Sequence, residues 1–265
     1  MSFEIRQSNS KLRKIAERVN KDKELQTLLV CSNITAIDRM GIHDHGKTHT
    51  FLVVNNALKI LDILKKRNIT PSIVENYALN KNIKQYDIDF NDAEVVVFLA
   101  GVLHDIGVSL HREHHSLSSV YLAGNIIDRI LKGIYKEEEK TIIKAEVLHC
   151  LFSHHVEVKP LTLEAGIIRV ADALDNASGR AKIPFSKGNL DSHSISSMSI
   201  KEIEVTPGKE KPINIRVLMS SSAGMFQVEN LLKSKIAGTK LEKLVRIEVE
   251  IDKDADDVPE RLVFE

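Results

Sequence analysis

The chain has 265 residues, enough for one large domain or two smaller ones around a well-buried core. Lysine plus arginine and aspartate plus glutamate number 37 each, so no global charge favours nucleic acid or an anionic membrane, and any phosphate chemistry must be local. Cys31 and Cys150 form no Cys-x-x-Cys pair, which argues against a thiolate zinc site and fits a reducing, cytoplasmic setting. The start, Met1-Ser2-Phe3-Glu4-Ile5-Arg6, lacks the apolar core of a signal peptide, and the strongest apolar run, Val95 to Leu103, is too short to span a bilayer. Eleven histidines are the unusual feature, because nine fall in three tight groups: His43, His45 and His49; His111, His114 and His115; His149, His154 and His155.

Residues 10 to 30 read as one charged amphipathic helix, with Leu12, Ile15, Val19, Leu25, Leu28 and Leu29 on its apolar face. Gly41 to His49 has two glycines and no apolar periodicity, and it leads into a helix from Phe51 to Leu61. If that helix begins early, His45 and His49 share a face and can hold one metal or two neighbouring ones; if Gly46 breaks it, only His49 is well placed. Asn68-Ile69-Thr70-Pro71-Ser72 stops the helix, residues 72 to 90 form a polar connection, and Asn91 or Asp92 can cap the next helix. That helix carries the apolar run into Gly101-Val102-Leu103-His104-Asp105-Ile106-Gly107, where an imidazole and a carboxylate end a buried helix beside a glycine that lets the backbone turn away. Taken alone, such a pair would only cap and terminate the helix.

Val108 to His115 is too polar for core, and His111 and His114 read equally as solvated or ligating. Leu117, Val120, Tyr121, Ile126, Ile127, Ile130 and Leu131 restore a helical pattern. Glu137-Glu138-Glu139 fills the first turn of another helix, as the helix dipole prefers, and that helix runs into Ser153-His154-His155, either of whose imidazoles can ligate. Leu163 to Asp175 forms a further helix in which Asp172, among small and apolar residues, is costly to bury unless paired or metal-bound. Asp175, three residues on, is placed to orient a ligand or pair with Arg180. Ala181 to Ser199 reads as a linker. Beyond it Ile200 to Val205, Ile213 to Met219 and Leu244 to Ile251 alternate as strands, with a helix from Ala223 to Ile236, which suggests a small α+β unit whose sheet the helix covers. The acidic stretch Asp252 to Asp257 lacks the glycine and glutamate of a calcium loop and reads as a solvated turn.

Separate helices thus deliver imidazoles and carboxylates in the order His, His-Asp, His, His, Asp. Mixed nitrogen and oxygen donors without thiolate suit Fe, Mn, Ni, Co or Zn rather than Ca. Two such divalent ions, roughly 3.5 to 4 Å apart and bridged by Asp105, would hold a metal-bound hydroxide in line with a phosphorus atom. Lys47, Arg112 and Arg180 sit beside these segments as candidate phosphate contacts, a solvated basic side chain being the ordinary alternative for each.

Over about residues 40 to 180 this series resembles the HD superfamily of metal-dependent phosphohydrolases. The resemblance implies that His49, His104, Asp105 and Asp172 are the family's minimal mononuclear set, and that His115, followed by Ser119 and Leu122, and His154 are the two extra histidines of the binuclear subset. His45 stands where the related HD-GYP phosphodiesterases have a glutamate ligand, and His155 matches the second of their paired histidines. No Gly-Tyr-Pro lies between His155 and Asp172, and Val108 replaces the lysine common in that group. The nearer likeness is to compact microbial HD proteins with Asp-His-Gly-x-x-His early and Ala-Asp-Ala-Leu-Asp late. The resemblance implies a helical HD-type catalytic domain, and with the strand alternation beyond it the chain reads as a mainly α fold with that domain over 1–185 and a small α+β domain over 196–265 for dimerisation, cover or sensing. The implied activity is phosphatase or phosphodiesterase chemistry at Asp105 and His104, on a nucleotide or other small phosphate ester. An HD-fold di-iron oxygenase, as myo-inositol oxygenase is, and a non-catalytic nucleotide-binding signalling module are the alternatives.

Overall fold

The computed structural model describes residues 2–3, 9–175, 192–251 and 261–264. They form a mainly α fold with a small α+β unit toward the C-terminal end, as expected. The stretch read as one N-terminal helix is two. α1 (Ser10–Lys21) is capped by the Asn9 side chain on the Leu12 amide, and it ends at Asp22. Asp22 has extended backbone and opens α2 (Lys23–Asn33) by accepting from the Leu25 amide, while Arg129 grips its oxygens at 2.7 and 3.0 Å. A short carboxylate that caps one helix competes with continuing the previous one, a signal that apolar spacing does not carry. α2 then runs into a π-helical turn, Ile34–Arg39.

α3 (Lys47–Lys66) buries Val53, Val54, Ala57, Ile60, Leu61 and Leu64. The polar connection after it contains a short π-helical turn, Val74–Ala78. α4 (Phe90–Leu103) is capped by Asp89 rather than by Asn91 or Asp92; Asp92 supplies the other half of a capping box by accepting from the Asp89 amide. Every residue of α4 from Asp92 to Leu103 is buried. α5 (His115–Leu131) turns Ser119, Ala123, Ile126, Ile127 and Ile130 inward and leaves Leu117 and Tyr121 exposed, so small residues set its buried face. α6 (Glu137–Ser153) follows, then α7 (Leu163–Ala173), capped by the Thr162 hydroxyl on the Ala165 amide. α1, α3, α6 and α7 pack around α4, the central helix that its all-round apolar sequence requires. Among the described residues no helix is long and apolar enough to cross a membrane.

α8 (Ser192–Ser199) leads into β1 (Ile200–Pro207), which pairs antiparallel with β2 (Ile213–Met219). An irregular helix, α9 (222–236), crosses to β3 (Val245–Ile251), parallel to β2 and in register, with Ile213 opposite Val245 and Val217 opposite Val249. A parallel pair needs such a crossover, which here covers the sheet face carrying Ile213, Ile215, Val217, Val245, Ile247 and Val249. β4 (Arg261–Phe264), a strand that alternation did not announce, pairs antiparallel with β3. Much of the expected linker, and the acidic stretch after Ile251, lie outside the described residues.

Two buried carboxylates, Glu146 on α6 and Glu164 on α7, lie beneath the segment after α3. Burial first, and then the neighbouring Glu164, push the Glu146 carboxyl up to about 7, against the opposing pull of the Tyr77 hydroxyl, 3.2 Å away, and of Lys240. Glu164 is raised as well, by burial, although the Ile73 amide donates to it at 3.0 Å. Because Glu146 releases its proton more readily when unfolded, stability from this group is full below about pH 4.5 and is lost as pH rises to about 7. Glu146→Gln should therefore raise the thermal midpoint at about pH 8 and leave it nearly unchanged at about pH 5. An equal shift at both pH values would refute the assignment.

Candidate metal centre

Two helices end inside the protein rather than at its surface, and both end in histidine. His104 follows the last residue of α4 and His154 the last residue of α6. The final carbonyls of a helix have no partner within it, and here they are used: His104 Nδ1 lies 2.9 Å from the Gly101 carbonyl oxygen and His154 Nδ1 lies 2.7 Å from that of Leu151. His115, first residue of α5, makes the same contact three residues back, to the Arg112 carbonyl at 2.8 Å. His45 Nδ1 lies 2.7 Å from the His43 carbonyl, and His49 Nδ1 lies 2.6 Å from Asp175 Oδ2. Carbonyl and carboxylate oxygens only accept, so each of the five Nδ1 atoms carries the hydrogen, and the neutral ring keeps its lone pair on Nε2.

Those Nε2 atoms converge on Asp105, which is 3% exposed. Its Oδ2 faces His49 at 3.3 Å, His104 at 3.4 Å and His45 at 4.0 Å, whereas its Oδ1 faces His115 at 3.3 Å and His154 at 3.6 Å. Asp172 Oδ1 adds a second carboxylate on the first side, 3.4 Å from His49 and 3.8 Å from His104. His49 Nε2 and His104 Nε2 are 3.1 Å apart, and His115 Nε2 and His154 Nε2 are 3.0 Å apart. Two facing lone pairs at that distance repel unless a positive charge lies between them. His49, His104 and Asp105 form one group able to hold an ion, and Asp105, His115 and His154 another, sharing one carboxylate. The negative C-terminal ends of α4 and α6 point at the same place and favour a cation there.

The electrostatics agree. Burial opposes ionisation of Asp105, but positive charge at His104 and hydrogen bonding from His104, His115 and His154 outweigh it and hold the carboxyl well below its usual range, a charge that a bound cation would supply where the rings are neutral. Asp172 is likewise held low against its own burial, chiefly by Lys235 and then by His49. Burial pushes His154 down to about 3 and so keeps it neutral, as a ligand nitrogen must be. A centre of nitrogen and oxygen donors without sulfur fits a divalent transition ion.

The structure brings together His45, His49, His104, Asp105, His115, His154 and Asp172. His45 arrives from the loop before α3, not from a shared helix face, because the helix starts only at Lys47. Between the paired histidines, His154 points inward, whereas His155 is half-exposed and lines the cleft outside the centre. Arg112 lines that cleft too, its Nη1 2.9 Å from His115 Nε2. Lys47 is on the first turn of α3 and does not line the cleft, and Arg180 falls outside the described residues. His149 accepts from the Leu161 amide and His111 from the Glu113 amide, so both do turn-forming work. His114 is exposed with a left-handed backbone.

Several supporting groups escaped the sequence reading. The Ser119 hydroxyl donates to the His104 carbonyl at 2.6 Å and accepts from the Gly107 amide at 2.9 Å. Ser32 donates to the Asp105 carbonyl at 3.2 Å. Lys235, from α9, donates to Asp172 Oδ2 at 2.9 Å and to the His154 carbonyl at 3.1 Å. Ser119 is marked in the sequence only as following His115 in the family pattern, and Ser32 and Lys235 are distant from their partners with no local pattern to mark them. Asp175, placed in advance as a possible orienter of a ligand, takes that position on His49.

Comparison with known proteins shows the family. A model of the HD domain matches residues 46–177, the span from the start of α3 to the end of α7. The uncharacterized protein MJ1020 of Methanocaldococcus jannaschii is 42% identical over 240 residues, covering 91% of this chain and 89% of its own length.

Gly107 is needed for close approach rather than for a turn, since its backbone is not left-handed. A Cβ there would run into the His115 carbonyl oxygen and the Ser119 amide nitrogen, both backbone atoms of α5. Gly107→Ala should therefore cost about 1–3 kcal/mol in urea unfolding, as overpacking does, by forcing α5 and His115 away from Asp105. A variant of wild-type stability would show that the two segments have room to part.

Proposed function

The chain belongs to the HD-domain family, and from that membership and its His/Asp centre we propose that it is a metal-dependent phosphohydrolase, a phosphatase or phosphodiesterase acting on a nucleotide or other small phosphate ester. The observation that carries this reading is that the two oxygens of one buried carboxylate, Asp105, face two separate pairs of imidazole nitrogens. In this reading His49, His104, Asp105 and Asp172 would hold one ion, with His45 approaching from the loop, and Asp105, His115 and His154 would hold a second. Fe, Mn, Ni, Co and Zn all suit such donors. When bound, a pair of divalent ions supplies an acidified water and neutralises charge on the phosphoryl oxygens. Hydrolysis would add water across the ester P–O bond, phosphorus gaining the water's oxygen and the departing oxygen a proton.

The chain's own residues do the holding. Asp105 fixes the separation of the two donor groups, and Asp175 fixes the ring of His49. Arg112 and His155 line the approach, where a guanidinium suits a phosphoryl oxygen. Residues 1–185 carry the catalytic domain in this proposal, and 196–265 a smaller domain that walls the cleft. Free Cys31 and Cys150 suit a reducing compartment.

Metal analysis of anaerobically purified protein should give about two transition ions per chain, and that protein should hydrolyse an aryl phosphate or an aryl phosphodiester. Asp105→Ala should lose both ions and the turnover, whereas His49→Ala and His115→Ala should each lose about one ion. Unchanged metal content and turnover in Asp105→Ala would refute the centre. Oxygen consumption with a mixed-valent iron signal, without hydrolysis, would replace the proposal with an oxygenase. Asp175→Asn should weaken the binding of one ion by about 10- to 100-fold, the usual penalty for losing a histidine's outer partner; an unchanged dissociation constant would remove Asp175 from this role.

A further inference from the structure

The cleft beside the metal centre, about 340 Å³ in volume, has two unlike walls. One comes from the helical part and includes His45, Arg112, His155 and Asp172; the other is α9 of the sheet unit, which contributes Asn230, Ser234 and Lys235. Asn230 and Ser234 are exposed, as a cleft wall would be. Lys235 is buried, at 8% exposure, and that is costly for an ammonium unless it is fully partnered. Two of its three hydrogens have partners: Asp172 Oδ2 at 2.9 Å and the His154 carbonyl at 3.1 Å. The pair of contacts is placed so that Asp172 turns Oδ2 to the lysine and Oδ1 to the imidazoles of His49 and His104.

A structural strut alone would not call for this side chain. An apolar residue packed against α7 would avoid burying a charge, and a cation this close to a cation-binding centre adds repulsion. Two divalent ions set against Asp105 and Asp172 would leave the centre positive, and Lys235 and Arg112 would add to the excess. Among the described residues lining the cleft, Asp172 is the one carboxylate, and both its oxygens are engaged. The missing charge is an anion in the cleft.

We propose that Lys235 is a substrate-binding residue supplied by the sheet unit: two of its hydrogens hold Asp172 and the His154 carbonyl, and the third is donated to a phosphoryl oxygen of the substrate. This inference rests on the phosphohydrolase reading. It makes α9 one wall of the substrate site, so that the group esterified to the phosphate lies against Asn230 and Ser234, and the helix is where substrate class is chosen.

The test is isothermal titration of the metal-loaded, full-length protein with inorganic phosphate. Lys235→Gln, which removes the charge but keeps an N–H donor, should bind phosphate about tenfold or more weakly while keeping wild-type metal content. With an aryl phosphate it should raise KM more than it lowers kcat. Asn230→Asp, at an exposed position that leaves the packing alone, should weaken phosphate binding several-fold at low ionic strength and less at high. If Lys235→Gln does not fold, Asn230→Asp decides the matter by itself. Wild-type phosphate affinity in the variants overturns the proposal. So does loss of metal from Lys235→Gln with phosphate binding intact in Asn230→Asp, since Lys235 would then only brace Asp172. Wild-type protein that binds phosphate no better than Asp105→Ala protein would instead defeat the phosphohydrolase reading itself, a result distinct from either.

Discussion

Asp105 is a carboxylate sealed from water and ringed by the Nε2 atoms of five histidines, and much of the helical part can be understood from what that arrangement demands. A buried anion needs compensating charge, and imidazoles that turn Nε2 lone pairs toward it do not supply it by themselves. Their other nitrogens are committed elsewhere: three to carbonyls three residues back, one to the His43 carbonyl, one to Asp175. The rings cannot rotate to relieve the repulsion without giving up those bonds. The protein has therefore fixed the imidazoles first and left a positive charge as the remaining requirement, as a preorganised site for a cation would.

That constraint explains the position of α4. A helix buried on every side has no surface end, so its C-terminal carbonyls need partners inside the protein. His104 takes the Gly101 carbonyl, Ser119 donates to that of His104, and Ser32 to that of Asp105. The same groups that satisfy the helix end also aim the imidazole and fix the carboxylate. Packing and chemistry are thus the same set of contacts here, and a change as small as one methyl group at Gly107 acts on both.

Where the sequence was informative, it was so for a physical reason. Apolar runs that stop at His104-Asp105 and at His154, and an aspartate set among small apolar residues at 172, are local signals of a polar group delivered to the interior, and all three reach the centre. His45 was ambiguous because its approach depends on Gly46 and Asp44 shaping a turn, not on helical periodicity. Apolar spacing misread Leu117 and Tyr121, since α5 packs through Ser119 and Ala123 where Gly107 comes close. Asp22 divides α1 from α2 through a side-chain cap that periodicity does not register. Lys47 has the right charge beside the right segment and does not line the cleft, whereas Lys235 lies 63 residues from Asp172 and could be connected to it only by the fold.

The link between Lys235 and Asp172 also decides how the two parts of the chain relate. Alternation in β2 and β3 builds a sheet that needs one face covered, and α9 covers it with Val228, Leu232 and Ile236. Nothing in that task requires a lysine at the far end of the helix. Its ammonium is carried into the helical part instead, where separating it from Asp172 would leave a buried positive charge without its carboxylate. The sheet unit is thereby fixed to a carboxylate that itself faces His49 and His104. A rearrangement of α9 would have to move Asp172 or abandon it, so the geometry of the His/Asp centre and the position of the sheet unit are set together.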